Sequence, residues 1–329
     1  MDMKYTIEKI ETKVTWEEER AVGNVEASVW IGGMEQQTEE IRKPGLYLTS
    51  AESYTSPVLC ASLVNRDGQE MDRMFPLPLE EEMQFCMRVE DPKLWNAEDP
   101  YCYQLVLEIM EGENFCQDRR VEPVAFSGWK IVDGQTCING KAVVFRGVAL
   151  PEEKKEPEDI QEFLQTMKQN FQNTLLVKTE QKSVQLQRWC LEYGIYLLEE
   201  GKDVDAGWMR ARLDLEKEEE SNPDFSLQVV QTGVLVENRS IFVDVSEYEM
   251  HYEVCDMNGR TISEGQLCAE IPAGSSRYVD IPFEMPAQPG EYRFCVSLCL
   301  KRDTPWASKG YAVVSAETKI SNLYERPEK

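Results

Sequence analysis

The chain of 329 residues contains a single histidine, His251. Such scarcity argues against Ser–His and Cys–His nucleophilic pairs and against metal sites built from several imidazoles. An enzyme of this composition would have to work with carboxylates. His251 itself stands beside Tyr252 in a run that alternates between apolar and polar residues. This pattern is typical of a strand, so His251 is interpreted as a structural or surface residue.

Basic residues are also scarce, with 35 Lys and Arg against 60 Asp and Glu, a net charge of −25 and a pI near 4.5. This balance argues against nucleic acid or an anionic membrane as a partner, because both require clustered cations. The sequence has no apolar run of the roughly 20 residues that a membrane helix requires. It also begins without a secretory signal, so a cytoplasmic location is expected.

The ten cysteines form no Cys-x-x-Cys pair and stand mostly among apolar strand residues. They are interpreted as reduced and mostly buried thiols, and neither a metal site nor a cofactor is predicted.

Short alternating runs separated by turn residues fill both ends of the sequence. Residues 1–128 contain alternating runs such as Val25–Ile31 and Tyr103–Met110. Residues 225–329 contain runs of the same kind, such as Val243–Val254 and Gly290–Leu300. This spacing predicts two antiparallel β-sandwiches.

Residues 129–212 show a different pattern, which alternates buried strands with amphipathic helices. Val143–Val148, Thr174–Lys178 and Ile195–Leu198 are predicted strands, with helices beginning near Pro157 and after Ser183. The pattern predicts a β-α-β-α-β unit with a parallel sheet. Residues 213–224 are strongly acidic and are interpreted as a solvated linker.

Six segments along the chain carry motifs of several residues each: Val89–Leu105, Asp133–Lys141, Phe145–Val148, Leu191–Glu200, Val236–Glu249 and Asp303–Ala307. In this order they resemble the bacterial β-galactosidase branch of glycoside hydrolase family 2. The first resembles the Leu-Trp-Ser-x-Glu ending of the family's first immunoglobulin-like domain, and the next three resemble the entry and the early strands of its barrel. The last two resemble the immunoglobulin-like domain that follows the barrel.

The resemblance implies two immunoglobulin-like sandwiches flanking a short βαβαβ remnant of a TIM barrel. A complete (β/α)₈ barrel needs roughly 200 residues or more, whereas Arg146 and Phe225 are only 79 positions apart. The family's acid/base glutamate follows asparagine after the fourth barrel strand, and its nucleophile lies near the seventh. Neither segment fits into this interval, and the sequence contains no Asn-Glu dipeptide. No catalytic residue is therefore predicted, although activity is left open.

The remaining barrel-like positions depart from the family where it contacts sugar or metal. The family's arginine, histidine and tyrosine in the motif across the second strand correspond to Leu176, Thr179 and Glu180, and the glutamate and histidine that bind its magnesium ion correspond to Val204 and Ala206. Residues typical of the core and turns are retained. This selectivity favours a scaffold that has lost catalysis.

Three carbohydrate-binding candidates remain: Trp208, which follows the family match, and Glu199 and Glu200, which end the third predicted strand. The tryptophans within family motifs, Trp95, Trp189 and Trp306, are expected to pack in cores. The Asn238–Ser240 triplet matches a glycosylation acceptor, which means little without a secretory signal.

The favoured hypothesis is a non-catalytic β-galactosidase-like protein with a binding or assembly role in carbohydrate metabolism. The alternatives are a carbohydrate-binding module, for which a glycan would be the ligand, and a subunit or fragment of a split glycosidase. A three-stranded parallel sheet has open edges. We therefore expect the junction at 201–215, a second copy in a homodimer or another protein to cover them.

Overall fold

The computed structural model describes residues 5–33, 56–112, 115–199, 223–230 and 233–322. Its contacts divide the chain into two compact units. The first comprises residues 1–95, 101–130 and 137–140, and the second comprises residues 96–100, 131–136 and 141–329. The finer division into three domains and a linker therefore stays a prediction. No helix in the described ranges is long and apolar enough to cross a membrane.

The first unit is a β-sandwich of two antiparallel sheets, ordered β1-β2-β5 and β4-β3-β6-β7. Alternation along the strands directs one face of each sheet inward. Val25, Leu59, Met87 and Leu107 of the shared core are at most 1% exposed. The strands are β1 (Thr6–Glu17), β2 (Val22–Gly32), β3 (Val58–Val64), β4 (Glu70–Pro78), β5 (Glu82–Glu90), β6 (Tyr103–Glu111) and β7 (Phe115–Val124).

Three short strands follow, β8 (Trp129–Val132), β9 (Gln135–Ile138) and β10 (Lys141–Ala142), in a sheet of their own. The chain then enters the predicted parallel unit. Its elements are β11 (Gly147–Ala149), α1 (Pro157–Gln169), β12 (Thr174–Val177), α2 (Val184–Tyr193) and β13 (Tyr196–Glu199). The sheet order is β11-β12-β13, with both pairings parallel.

Both helices begin where their capping residues predict. Pro157 occupies the first turn of α1, and the hydroxyl of Ser183 accepts a hydrogen bond from the backbone N–H of Leu186 at the start of α2. Gly194 ends α2 in the left-handed region, with φ of 73°. The apolar stripes of both helices pack into one cluster with the sheet.

The predicted strand Val143–Val148 is wrong over its first four residues. Pairing begins only at Gly147, and Val144 is 61% exposed. The side-chain amide of Asn173 accounts for the difference. Its oxygen accepts a hydrogen bond from the backbone N–H of Arg146, and its nitrogen donates one to the carbonyl oxygen of Val144, so these backbone groups bond to a side chain. Phe145 turns inward instead and meets the ring of Tyr196 edge-on.

The second sandwich has sheets in the orders β14-β15-β18 and β17-β16-β19-β20. Its core includes Val236, Val254, Phe294 and Leu298, all fully buried. The strands are β14 (Phe225–Val230), β15 (Gly233–Asn238), β16 (Tyr248–Asp256), β17 (Thr261–Leu267), β18 (Ser275–Asp280), β19 (Gly290–Leu300) and β20 (Ala312–Asn322).

The ten cysteines are free thiols, but fewer of them are buried than the sequence suggested. Three are intermediate in exposure, and Cys86, Cys116 and Cys268 are exposed. Only Cys137, Cys190, Cys255 and Cys299 are buried. Alternation along a strand divides residues between two faces but does not say which face points inward, so the pattern alone does not decide whether a thiol is buried.

Candidate functional site

The carboxyl ends of β11, β12 and β13 meet at one edge of the parallel sheet. In barrel enzymes the corresponding edge carries the active site. Glu199 is the last residue of β13, and its side chain is only 8% exposed. A short 3₁₀ turn, Thr179–Gln181, follows β12 at the same edge.

Both carboxylate oxygens of Glu199 are occupied by donors from the segment after β12. The hydroxyl of Thr179 donates to Oε1 at 2.9 Å, and Nζ of Lys182 lies 3.0 Å from Oε2 in an ion pair. Thr179, which the sequence analysis aligned with a histidine of the family, therefore belongs to an internal network that holds Glu199.

The rest of this edge also bonds to itself. Gln181 accepts the N–H of Lys178 at 2.9 Å and donates to the carbonyl oxygen of Leu150 at 3.1 Å. Nζ of Lys178 pairs with the carboxylate of Glu152, which lowers the pKa of that carboxyl. These bonds tie the segments after β11 and β12 together, so the polar groups at the edge mainly hold loops in place.

The other two predicted candidates, Glu200 and Trp208, lie outside the described residues, as do Val204 and Ala206. Their grouping with Glu199 stays a prediction. Valine and alanine side chains carry no ligand atom, so this pair does not fit the family's magnesium ion. Among the described residues, no group of three or more His, Cys, Asp or Glu could hold a metal ion.

A loop from the first motif, Asn96–Pro100, carries a buried polar cluster that the sequence analysis did not single out. Glu98 accepts the N–H groups of Ile241 and Phe242 at 2.7–3.0 Å. Nζ of Lys168 on α1 donates to the carbonyl oxygens of Ala97 and Gly194.

Burial shifts the pKa values of this cluster in the directions that disfavour charge. Removal from water raises the pKa of Glu98 and lowers that of Lys168 to about 8, although the negative charges of Asp224 and Glu98 partly oppose the lysine shift. Because these groups bind backbone atoms of neighbouring segments, the cluster positions chain segments around α1. The motif Val89–Leu105 contains several acidic residues, so the sequence alone did not distinguish Glu98 from its neighbours.

A second candidate site is an open groove of about 480 Å³ between α1 and the loop before β20. Gln165 and Gln169 of α1 form one wall, and residues 304–309 together with Tyr311 form the other. Trp306 packs partly against the helical cluster, as expected, but it also lines this groove and meets Tyr311 edge-on at 5.5 Å. Two aromatic residues five positions apart in a loop, Trp306 and Tyr311, were a sequence signal for an aromatic surface. The interpretation of Trp306 as a core residue did not use it.

Comparison with known families assigns both sandwiches. The model for glycosyl hydrolases family 2 matches residues 6–126, and the model for β-galactosidase domain 4 matches residues 234–321. The chain is a β-galactosidase-like protein of glycosyl hydrolase family 2. The resemblance stated from the motifs is thereby confirmed.

The β-galactosidase-like chain spans only a small part of its curated relatives. The β-galactosidase of Alteromonas mediterranea is 31% identical over 120 residues, which cover 35% of this chain and 12% of the relative. That of Halalkalibacterium halodurans is 28% identical over 131 residues, covering 38% and 13%. A Yersinia pestis β-galactosidase is 26% identical over 184 residues, covering 54% and 17%.

Solved structures match over a larger share of the chain. Bacteroides uniformis β-glucuronidase 3 aligns over 65% of this chain and 26% of its own, with 18% identity and a TM-score of 0.47. The β-glucuronidase of Parabacteroides merdae aligns over 63% and 26%, with 15% identity and a TM-score of 0.48.

Proposed function

We propose that this β-galactosidase-like chain is non-catalytic and serves a binding or assembly role linked to carbohydrate metabolism. The observation that carries the proposal is the short interval between the two family matches. Residues 127–233 separate them, whereas a (β/α)₈ barrel needs roughly 200 residues or more. The parallel unit within this interval has only three strands and two helices among the described residues.

We interpret the parallel unit as the first three βα units of a barrel, between sandwiches of the immunoglobulin-like type. Retaining hydrolysis needs two carboxyl groups about 5–5.5 Å apart across the sugar. At the sheet edge, Glu199 is instead occupied by Thr179 and Lys182. Because the carboxylate of Glu199 is bonded to side chains of the same edge, we infer that this edge has a structural role.

Turnover assays test the proposal directly. The full chain is incubated with nitrophenyl β-galactoside and nitrophenyl β-glucuronide, and a Glu199→Gln variant serves as the comparison. We expect release of nitrophenol from both proteins to equal the buffer blank. Turnover that disappears in the Glu199→Gln variant would contradict the proposal.

The alternative is a subunit of a split glycosidase. It is favoured by the sheet itself, in which β11 and β13 pair only with β12 among the described residues. A second chain could continue the barrel from these edges. Co-purification and joint assay with the products of neighbouring genes separate the two: activity only in the mixture supports the split enzyme, and inactivity of every mixture supports the scaffold.

A partner that covers the open edges is also part of the proposal, and we favour a second copy of the chain. Exposed strand edges promote pairing with another chain unless they are shielded. Light scattering of the purified chain should therefore give the mass of a dimer. A strict monomer whose junction at 201–215 is disordered would contradict this assignment.

A further inference from the structure

The groove beside α1 has the chemistry of a ligand site. Its volume of about 480 Å³ lies in the range typical of small-molecule sites, roughly 300–1,000 Å³. Gln165 and Gln169 are one helical turn apart, so their side chains emerge from the same face of α1. Both residues are exposed.

The opposite wall is held rigidly by bonds within its own loop. The hydroxyl of Thr304 donates to the carbonyl oxygen of Ala307 at 2.9 Å and accepts its N–H at 3.0 Å. Asp303 accepts the N–H of Lys309 at 2.8 Å. A site whose wall is already ordered loses less entropy when a ligand binds.

The aromatic side chains of this wall are fixed in the same way. Trp306 is anchored by its contact with the helical cluster, and Tyr311 lies edge-on to it and is 37% exposed. The wall therefore offers an apolar aromatic surface at an ordered position. Such surfaces bury large areas at low conformational cost.

The polar groups that face this surface are available. Within the described ranges the side chains of Gln165, Gln169 and Ser308 make no hydrogen bond. Side-chain amides and hydroxyls both donate and accept, which suits a ligand rich in hydroxyl groups. Among the described residues that line the groove, Lys309 is the only charged one, so this part of the lining carries little charge.

We propose that this groove binds a neutral pyranoside, with the C–H face of the sugar against Trp306 and Tyr311 and its hydroxyls bonded to Gln165 and Gln169. The inference rests on the proposed function, because it assigns the chain a bound sugar that is not cleaved. It also places the sugar away from Glu199 and from the edge of the parallel sheet.

The test compares the full chain with a Gln165→Ala/Gln169→Ala variant. Alanine favours the helix, so the variant should fold. The matched control is Gln187→Ala, which changes an exposed glutamine of α2 outside the groove. Binding of lactose, methyl β-galactoside and methyl β-glucuronide is measured by tryptophan fluorescence and saturation-transfer NMR, and released sugar is measured in the same samples.

We expect saturable, millimolar binding of a neutral sugar, weakened about tenfold by the double variant and unchanged by the control. Absence of saturable binding, equal affinity in all three proteins or binding of the glucuronide alone would overturn the inference. Release of sugar would contradict the non-catalytic function. The affinities of the three proteins would then still decide whether the groove is the binding site.

Discussion

Asn238 shows how a short motif can mislead when burial is unknown. Its Asn-Arg-Ser triplet matches a glycosylation acceptor, yet Asn238 and Ser240 are 1% and 3% exposed. The Asn238 amide donates to the carbonyl oxygens of Val243 and Ile271 at 2.9 and 2.8 Å. Its oxygen accepts both the N–H and the hydroxyl of Ser240. The triplet is therefore a structural element of the second sandwich.

Replacing Asn238 with aspartate should destabilise the protein strongly. The change keeps the shape but removes both donors and directs a carboxylate at two carbonyl oxygens. We expect the free energy of unfolding to fall by about 3 kcal/mol, measured by urea denaturation. The control is Asn258→Asp in an exposed turn, and equal losses in the two variants would contradict the assigned role.

Lys168 should make stability depend on pH. Its pKa is 10.5 in the unfolded chain and about 8 in the folded protein. Between these two pH values the unfolded chain binds more protons than the folded protein, so this group makes the free energy of unfolding rise with pH. Below about pH 8 the lysine is charged in both states, and the folded protein bears the full cost of burying that charge. At about 1.4 kcal/mol per pH unit, the interval between the two pKa values corresponds to about 3 kcal/mol.

A Lys168→Met variant isolates this contribution. All other groups that titrate at alkaline pH are the same in the two proteins. The difference in unfolding free energy between wild type and variant should therefore grow in favour of wild type from pH 8 to pH 10.5. A difference that stays constant with pH would show that Lys168 is not responsible.

At the scale of elements, capping residues made the helices predictable, whereas strand lengths depended on tertiary contacts. Pro157, Ser183 and Gly194 fix the ends of α1 and α2 through local backbone bonding. The start of β11 instead depends on Asn173, 27 positions from Arg146 in sequence. No local pattern encodes such a contact, which is why Val143–Val148 was predicted too long.

The candidate site was predictable only in part for the same reason. Glu199 follows from the position of a strand end, but its bonds to Thr179 and Lys182 require the register between β12 and β13. The groove combines α1 with a loop more than 130 positions later in the chain. Its lining emerges only when both elements pack on the same cluster.

The pairing of β11 with β12 in the parallel sheet depends on the absence of a side chain at Gly147. A Cβ atom at this position would lie 1.7 Å from the carbonyl oxygen of Thr174, a backbone atom of the neighbouring strand. Gly147→Ala should therefore separate β11 from β12, and hydrogen exchange at Val148 and Leu176, which lie on the side of the ladder where β11 and β12 bond, should lose its protection. Gly290→Ala, where the nearest atoms are 3.7 Å away, should keep wild-type protection, and similar exchange in both variants would contradict the argument.

At the scale of the whole molecule, the charge imbalance has a consequence for stability. A net charge of −25 makes the folded chain repel itself, and salt screens this repulsion. The opposing effect is the screening of favourable ion pairs. Pairs such as Lys9–Glu11 and Lys13–Glu26 are more than half exposed, and exposed pairs contribute only about 0–1 kcal/mol each.

Repulsion should therefore dominate, so that added salt stabilises the protein. We expect the midpoint of urea unfolding to rise between about 20 mM and about 200 mM NaCl, the range over which the screening length falls from roughly 20 Å to below 10 Å. Urea is the suitable denaturant because it carries no charge. Sucrose at matched osmolality controls for effects of the solute other than screening. A midpoint that falls with NaCl would mean that attractive pairs outweigh the net charge, and that the acidic surface is organised into networks stronger than its exposed pairs suggest.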